Sequence, residues 1–166
     1  MPNYIPGWVW VTKEIEPYLK GRGVDIGCNM WPYPGAIPLD PAEIVITRLK
    51  KEPYKMEHAI LASGDKLDMF KDMELDYVFS SHSLEHIIDY KKALEEWDRV
   101  LKIGGYLVIY MPHPSHQGWN ADNYKQHHHN LTFDMVYNEV KNNIDLVYGT
   151  NQKDSHSGFL FIGRRK

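Results

Sequence analysis

The sequence has 166 residues, of which 43% are hydrophobic and 25% are charged, and its formal net charge is −3. These values describe an ordinary globular chain and give no general attraction to nucleic acid or to an anionic membrane surface. The single cysteine, Cys28, excludes an internal disulfide and a thiolate zinc cluster. We find no signal-peptide pattern and no apolar run long enough to cross a bilayer, so we expect a cytoplasmic protein with no nucleic-acid or membrane partner.

The beginning of the chain predicts an arm followed by a short helix, together spanning residues 1–22. Prolines and a glycine make residues 1–10 irregular, and residues 12–20 carry apolar side chains at helical spacing. Trp8 and Trp10 belong to the arm. We expect both to pack against the domain, because large aromatic side chains gain most from burial, and a role in stacking on a substrate is the alternative.

Residues 23–28 predict a short buried strand whose end, at Gly27 and Cys28, is the start of a turn. Glycine allows a sharp turn and a close backbone approach to a ligand, and Asn29 tolerates a left-handed conformation better than most residues. Residues 30–35 contain two prolines and a glycine, which leaves no room for a regular helix before a second strand over residues 37–40.

The next part of the sequence predicts a helix over residues 43–51 and a third strand over residues 58–62. A turn at Gly64 and Asp65 follows, and residues 76–80 form an apolar fourth strand.

The clearest pattern is the helix after this strand. Its apolar side chains recur at helical spacing, at Tyr90, Leu94, Trp97 and Leu101. Asp89 caps its start, and we expect Gly104 and Gly105 to end it in a left-handed turn before a fifth strand over residues 106–110. A strand, helix and strand of this length form a right-handed parallel crossover.

The remaining sequence predicts a long loop, a helix and two strands. Residues 112–131 have no hydrophobic period and form a loop over the rim of the sheet. Thr132 caps the next helix, and residues 144–148 and 159–163 are strands joined by a polar loop.

The segment over residues 79–112, FSSHSLEHIIDYKKALEEWDRVLKIGGYLVIYMP, resembles class I S-adenosylmethionine (SAM) dependent methyltransferases. In that family LEH after the fourth strand and RVLKxGG before the fifth recur together. Residues 23–29 resemble the family's motif I, with asparagine in place of its second glycine. A small type 11-like subgroup of the family also has a shortened connection between the first and second strands, as residues 30–35 do here. The resemblance implies one domain over residues 1–166 with an α/β fold: a single Rossmann-like doubly wound sheet, mostly parallel, with an antiparallel C-terminal hairpin strand.

The resemblance also implies a SAM site at the carboxyl ends of the strands. Asp40 would accept both ribose hydroxyls, Asp65 would accept from the adenine amino group, and the turn after the fourth strand would offer main-chain groups. The complete cofactor-binding set is Asp25, Gly27, Cys28, Asn29, Asp40, Gly64, Asp65, Lys66, Ser81 and His82.

The histidine-rich loop over residues 112–131 is where the family forms part of its acceptor pocket. His113 is the first candidate for the catalytic base and His129 the second, because imidazole accepts a proton near neutral pH. We expect transfer of the methyl group to a small molecule, such as a hydroxyl of a sugar or related metabolite, and a homodimer is consistent with a small chain that has an open rim.

Three alternatives accompany this interpretation. We expect no metal, but ubiquinone-pathway O-methyltransferases hold a divalent cation with Glu-x-x-Glu-His, and His82, Glu85 and His86 have that spacing. A catalytically degenerate relative would bind a nucleoside, a metal or a protein partner. A nicotinamide-dependent oxidoreductase is disfavoured, because no Gly-x-Gly-x-x-Gly turn opens a helix.

Overall fold

A computed structural model describes residues 6–29, 31–41 and 59–166 of the chain. The helix predicted over residues 43–51 and the first residue of the predicted third strand lie outside the described residues. Seven strands are present in the described part of the chain: β1 (Gly23–Ile26), β2 (Ile37–Asp40), β3 (Ile60–Leu61), β4 (Leu75–Ser81), β5 (Leu101–Pro112), β6 (Ile144–Gly149) and β7 (Gly158–Arg165).

The strands form one sheet in the order β3-β2-β1-β4-β5-β7-β6. The first five are parallel to their neighbours, whereas β7 runs antiparallel to both β5 and β6. Since β1 lies between β2 and β4, the chain reverses direction across the sheet there, which opens a crevice at the carboxyl ends of these strands. The predicted fold class is confirmed.

Three helices are described: α1 (Thr12–Ile15), α2 (Tyr90–Val100) and α3 (Phe133–Val140). A 3₁₀ turn over Gly7–Val11 leads into α1, which is much shorter than the predicted helix over residues 12–20. Pro17 explains the difference, because it has no N–H with which to extend the helix. None of the helices in the described ranges is long and apolar enough to cross a membrane.

Both predicted helix caps are present. A carboxylate oxygen of Asp89 accepts from the Lys92 N–H at 3.1 Å at the start of α2, and the Thr132 hydroxyl accepts from the Met135 N–H at 3.2 Å at the start of α3. Each cap satisfies an N–H that has no partner inside its helix.

The predicted end of α2 is wrong. The helix ends at Val100, and Leu101 is already extended because it is fully buried beside Leu75 and pairs with β4. Gly104 does adopt a left-handed conformation, with a φ of 81°, but it lies inside β5. There the register jumps from the Leu75–Leu101 pair to the Tyr77–Tyr106 pair, so the glycines form a bulge rather than a helix cap.

The sheet is covered on both faces, each with its own buried cluster. Helices α2 and α3 pack on one face, and α1 with the preceding turn packs on the other. Trp97 of α2 is completely buried, and its indole N–H donates to the Gly64 carbonyl at 2.8 Å. The helix therefore holds the turn that follows β3 directly.

Substitution of Trp97 tests this connection. We expect Trp97→Phe to lower the free energy of unfolding by about 2–4 kcal/mol, because it leaves a cavity and an unpaired Gly64 carbonyl. Urea unfolding followed by circular dichroism measures the loss. Tyr148→Leu, at a half-exposed position of β6, is the control and should change stability by less than about 0.5 kcal/mol; an equal loss in both variants would contradict the assignment.

Candidate functional site

A groove lies in the crevice formed by β1, β2 and β4. It is lined by Pro6, Gly7, Trp8, Asp25, Gly27, Cys28, Asn29, Trp31, Ser81 and His82. The structure thus brings together the motif I turn and the turn after β4, as the sequence predicts. It adds residues from the N-terminal segment and Trp31, which the sequence analysis did not place in the site.

The turn after β1 is fixed by the carboxylate of Asp40. One oxygen of Asp40 accepts from the Asn29 N–H at 2.6 Å, so this carboxylate faces the turn. Asn29 has a φ of 54°, the left-handed conformation expected of it, and Gly27 has a φ of 73°. A Cβ on Gly27 would lie 2.0 Å from the Ser83 hydroxyl oxygen, so only glycine fits there.

The connection after the turn is short, and its described residues 31–36 contain no helix. The Tyr33 N–H donates to the Asp25 carboxylate at 2.7 Å, and the buried Tyr33 ring packs edge-on against Trp8 and Phe79 with ring centroids 5.5 and 5.6 Å away. Tyr33 therefore fills the core beneath the site rather than the groove. Trp8 closes this side, and its indole N–H donates to the Trp31 carbonyl at 2.9 Å.

Asp25 is a buried carboxyl group at the floor of the groove. Burial raises the pKa of Asp25 to about 7; the hydrogen bond from the Tyr33 N–H opposes this rise, and the nearby Asp40 carboxylate adds to it. Asp25 therefore holds its proton more tightly than an exposed carboxyl group does, and a bound cation would favour its charged form.

The other predicted cofactor residues follow β3. Gly64 is buried, and a Cβ there would lie 2.7 Å from Ile26 and 2.8 Å from Ile87. Asp65 is partly exposed and Lys66 is exposed in the same turn. These three residues are absent from the lining of the groove described above, and their contacts with an adenine ring remain predictions.

His82 has the most unusual environment of the site histidines. It is largely buried, has a φ of 52°, and lies among the rings of Tyr110, Trp119 and Trp10 at centroid distances of 5.2, 5.4 and 6.5 Å. Neither ring nitrogen has a hydrogen-bond partner among the described residues. Burial lowers the pKa of His82 to about 4, with smaller contributions from His127 and His86, so the imidazole is neutral at physiological pH.

Glu85 lies next to His82 in a 3₁₀ turn over Leu84–His86. Its carboxylate lies 3.9 Å from the His82 Nδ1 and 3.9 Å from the His127 Nε2. Burial raises the pKa of Glu85 to about 8, which keeps the isolated carboxyl group mostly protonated at neutral pH.

The two histidines predicted as catalytic bases, His113 and His129, both contact backbone carbonyls of other segments. His113 Nε2 donates to the Asn151 carbonyl at 2.9 Å, while Nδ1 lies 2.8 Å from the Ser115 hydroxyl. His129 Nε2 lies 3.0 and 2.9 Å from the carbonyls of Ile87 and Ile88. Neither histidine is part of the groove lining; they anchor the loop over residues 112–131 to its neighbours.

A doubly wound sheet with a ligand groove at the reversal point is typical of proteins that bind a nucleoside cofactor. Comparison with known proteins defines the family. Residues 24–109 match the model of the methyltransferase domain family, and the chain belongs to this family. The resemblance to class I SAM-dependent methyltransferases is confirmed, and S-adenosylmethionine is the cofactor of the family.

The relatives include demethylmenaquinone methyltransferases of staphylococci. The protein from Staphylococcus carnosus strain TM300 is 38% identical over 115 residues, which cover 60% of this chain and 48% of the relative. The protein from Staphylococcus aureus strain JH9 is 37% identical over 99 residues, covering 59% and 35%. The chain thus spans half or less of the length of these relatives.

Solved structures with this fold include a methyltransferase of Haloferax volcanii in complex with the Trm112 methyltransferase activator. It has a TM-score of 0.73 at 15% identity, covering 96% of this chain and 90% of that chain. A SAM-dependent methyltransferase from Archaeoglobus fulgidus has a TM-score of 0.71 at 16% identity, covering 95% and 92%. At these identities the likeness establishes the fold.

The raised pKa of Asp25 predicts a pH dependence of stability. A carboxyl group whose pKa is higher in the folded state than in the unfolded state stabilises the fold at low pH, and this stabilisation is lost as pH rises through about 7. We expect the contribution of Asp25 to the free energy of unfolding to fall between about pH 4 and pH 7, so that Asp25→Asn has a less negative slope than the wild type over this range, because its amide oxygen still accepts from Tyr33 but cannot ionise.

Denaturant unfolding at each pH measures the slope. Asp145→Asn, on the exposed face of β6, should keep the wild-type slope. Parallel curves for the wild type and Asp25→Asn would contradict the assigned pKa.

Proposed function

We propose that this chain binds SAM in the groove at the ends of β1, β2 and β4 and transfers its methyl group to a small, hydroxylated aromatic ring. One observation supports this most directly. The Ser81 hydroxyl and both ring nitrogens of His82 border the groove yet lack hydrogen-bond partners among the described residues, although they are buried. Buried polar atoms are normally paired, and a ligand in the groove would supply their partners.

The residues around the groove fit the cofactor. Asp40 does not itself line the groove; it is buried at the end of β2, where a carboxylate can accept from ribose hydroxyls, and it orders the motif I turn by accepting from the N–H of the lining residue Asn29. Asp25 offers a carboxyl group whose ionisation is favoured by a positively charged ligand. When bound, SAM supplies an electrophilic methyl group on a positively charged sulfur.

The proposed acceptor differs from the sugar hydroxyl that the sequence analysis expects. The relatives' name states that they act on demethylmenaquinone, a quinone, and the reduced form of a quinone is a hydroxylated aromatic ring. The aromatic side chains around His82 support the same class, since Trp119 and Trp10 pack edge-on against His82, are not fully buried and could contact a flat acceptor beside it.

His82 is the proposed catalytic base in place of His113 and His129. It borders the groove and its ring nitrogens have no hydrogen-bond partner among the described residues, whereas His113 has partners on both nitrogens. The acceptor oxygen would bond to the methyl carbon as the methyl–sulfur bond breaks, S-adenosylhomocysteine would leave, and His82 would take the proton of the acceptor hydroxyl. The surrounding aromatic rings exclude water and hold the acceptor in line, which is most of what methyl transfer requires.

Non-catalytic binding of a nucleoside is the second candidate function. It is favoured by one specific observation, that the chain's own backbone N–H groups already occupy one oxygen of both Asp25 and Asp40. Measurement of SAM turnover separates the two functions.

The cofactor assignment predicts the effect of a charge-removing substitution. We expect saturable SAM binding by calorimetry and a loss of affinity of about tenfold or more in Asp40→Asn, because a neutral amide is a weaker acceptor for hydroxyls. Asp145→Asn is the matched control and should bind like the wild type. Absence of SAM binding by the wild type at millimolar ligand would refute the proposed function.

The proposed acceptor and the proposed role of His82 can be tested by measuring activity. S-adenosylhomocysteine should form with a water-soluble hydroquinone and not with a simple sugar. We expect His82→Gln to lower kcat by about 10²–10⁴-fold while SAM affinity stays within a few-fold. A loss of activity in His113→Gln with full activity in His82→Gln would return the role of base to His113.

A further inference from the structure

A second group of side chains lies beside the groove and has no part in the proposed methyl transfer. It consists of Glu85 and His86, in the turn after β4, and His127, in the loop over residues 112–131. One ligand atom from each of the three residues lies within 4.8 Å of the other two. The fold thus brings a carboxylate and two imidazoles from distant parts of the sequence to one point.

Glu85 lacks the partners that a buried carboxyl group requires. The residue is 2% exposed, and neither carboxylate oxygen has a hydrogen-bond partner among the described residues. Its backbone carbonyl, in contrast, accepts from the His128 N–H at 2.8 Å. Burial of a carboxyl group with both oxygens unpaired is costly, and such a group calls for a ligand, a water molecule or an ion.

Both histidines have their Nδ1 held by a backbone carbonyl, as metal-binding histidines commonly do. The Nδ1–H of His86 donates to the Gln126 carbonyl at 2.8 Å, and the Nδ1–H of His127 donates to the Trp119 carbonyl at 2.6 Å. A backbone carbonyl on Nδ1 fixes the tautomer in which Nε2 carries the lone pair. The Nε2 of His127 faces Glu85, with 3.9 Å between it and the carboxylate oxygen.

We propose that Glu85, His86 and His127 form a binding site for a first-row divalent transition-metal ion, for which Zn²⁺ is the reference. Two imidazoles and one carboxylate are a ligand set that suits Zn²⁺ and leaves a position for water or substrate. Mg²⁺ prefers oxygen ligands and is not favoured by two nitrogens. Ligand atoms around a tetrahedral Zn²⁺ are about 3.3 Å apart, so the three groups would close inward slightly on binding.

This set of three ligands differs from the metal site that the spacing of the sequence suggests. That alternative uses His82, Glu85 and His86, whereas the ligand atoms that meet in the structure include His127 and omit His82. His82 instead lies between the two sites, with its Nδ1 3.9 Å from the Glu85 carboxylate and its ring at the groove. A metal ion would join the loop over residues 112–131 to the turn after β4 and so order one wall of the site.

Metal binding can be measured without any activity assay. The full chain is first freed of metal with a chelator and then titrated with Zn²⁺ by calorimetry. We expect one equivalent to bind, and Glu85→Gln and His127→Gln each to weaken binding by about 100-fold. His128→Gln is the matched control, because His128 is the exposed neighbour of His127 and should bind Zn²⁺ like the wild type.

A second measurement does not depend on whether the Glu85 and His127 variants fold. Co²⁺ added to the wild type and to His128→Gln should give the ligand-field absorption of a low-coordinate site, and Mg²⁺ at the same concentration should produce no heat. Failure of the wild type to take up Zn²⁺, or equal affinity in the wild type, Glu85→Gln and His127→Gln, would overturn the proposal. SAM titration of the same chelator-treated protein tests the proposed function separately, since none of the three ligands lines the cofactor groove.

Discussion

Two buried carboxylates hold the part of the fold on which the site depends. Asp25 is the next-to-last residue of β1 and Asp40 the last residue of the neighbouring parallel strand β2. Each accepts a backbone N–H from the short connection between the strands, from Tyr33 and Asn29 respectively. In most doubly wound sheets a helix covers this connection and satisfies its own backbone. Here side-chain carboxylates provide the acceptors, and the rings of Trp8 and Tyr33 provide the apolar cover. The N-terminal segment is therefore part of the site.

Local patterns predicted the strands and the caps well, because these features depend on nearby residues. The Asp89 and Thr132 caps and the left-handed Asn29 follow from the chemistry of single side chains. The end of α2 was wrong because a long-range pairing competed with a local signal. Burial of Leu101 against β4 ended the helix before the glycines, whose left-handed turn became a strand bulge.

The candidate site was harder to predict, because the histidines are sorted by contacts between distant segments. Sequence position alone favoured His113, which follows a strand at the rim. The structure gives His113 and His129 backbone carbonyls as partners and leaves His82 unpaired within the described part of the chain. No local signal distinguishes His127 from His128, although one is buried beside Glu85 and the other is exposed. The distinction depends on the Trp119 carbonyl, which lies in another turn of the same loop.

Several unfavourable features of this structure lie at the groove or beside it. His82 and Asn29 are left-handed without being glycine, a conformation that costs on the order of 1 kcal/mol each. Glu85 and His82 add buried polar atoms without partners among the described residues. Folding alone would favour glycine and apolar side chains at such positions, since either change would relieve strain or desolvation. The packed cores on the two faces of the sheet show little of this conflict. Local conflicts of this kind persist where a ligand compensates for them, so the same residues that weaken the unliganded fold are those that define where the cofactor and the metal ion would bind.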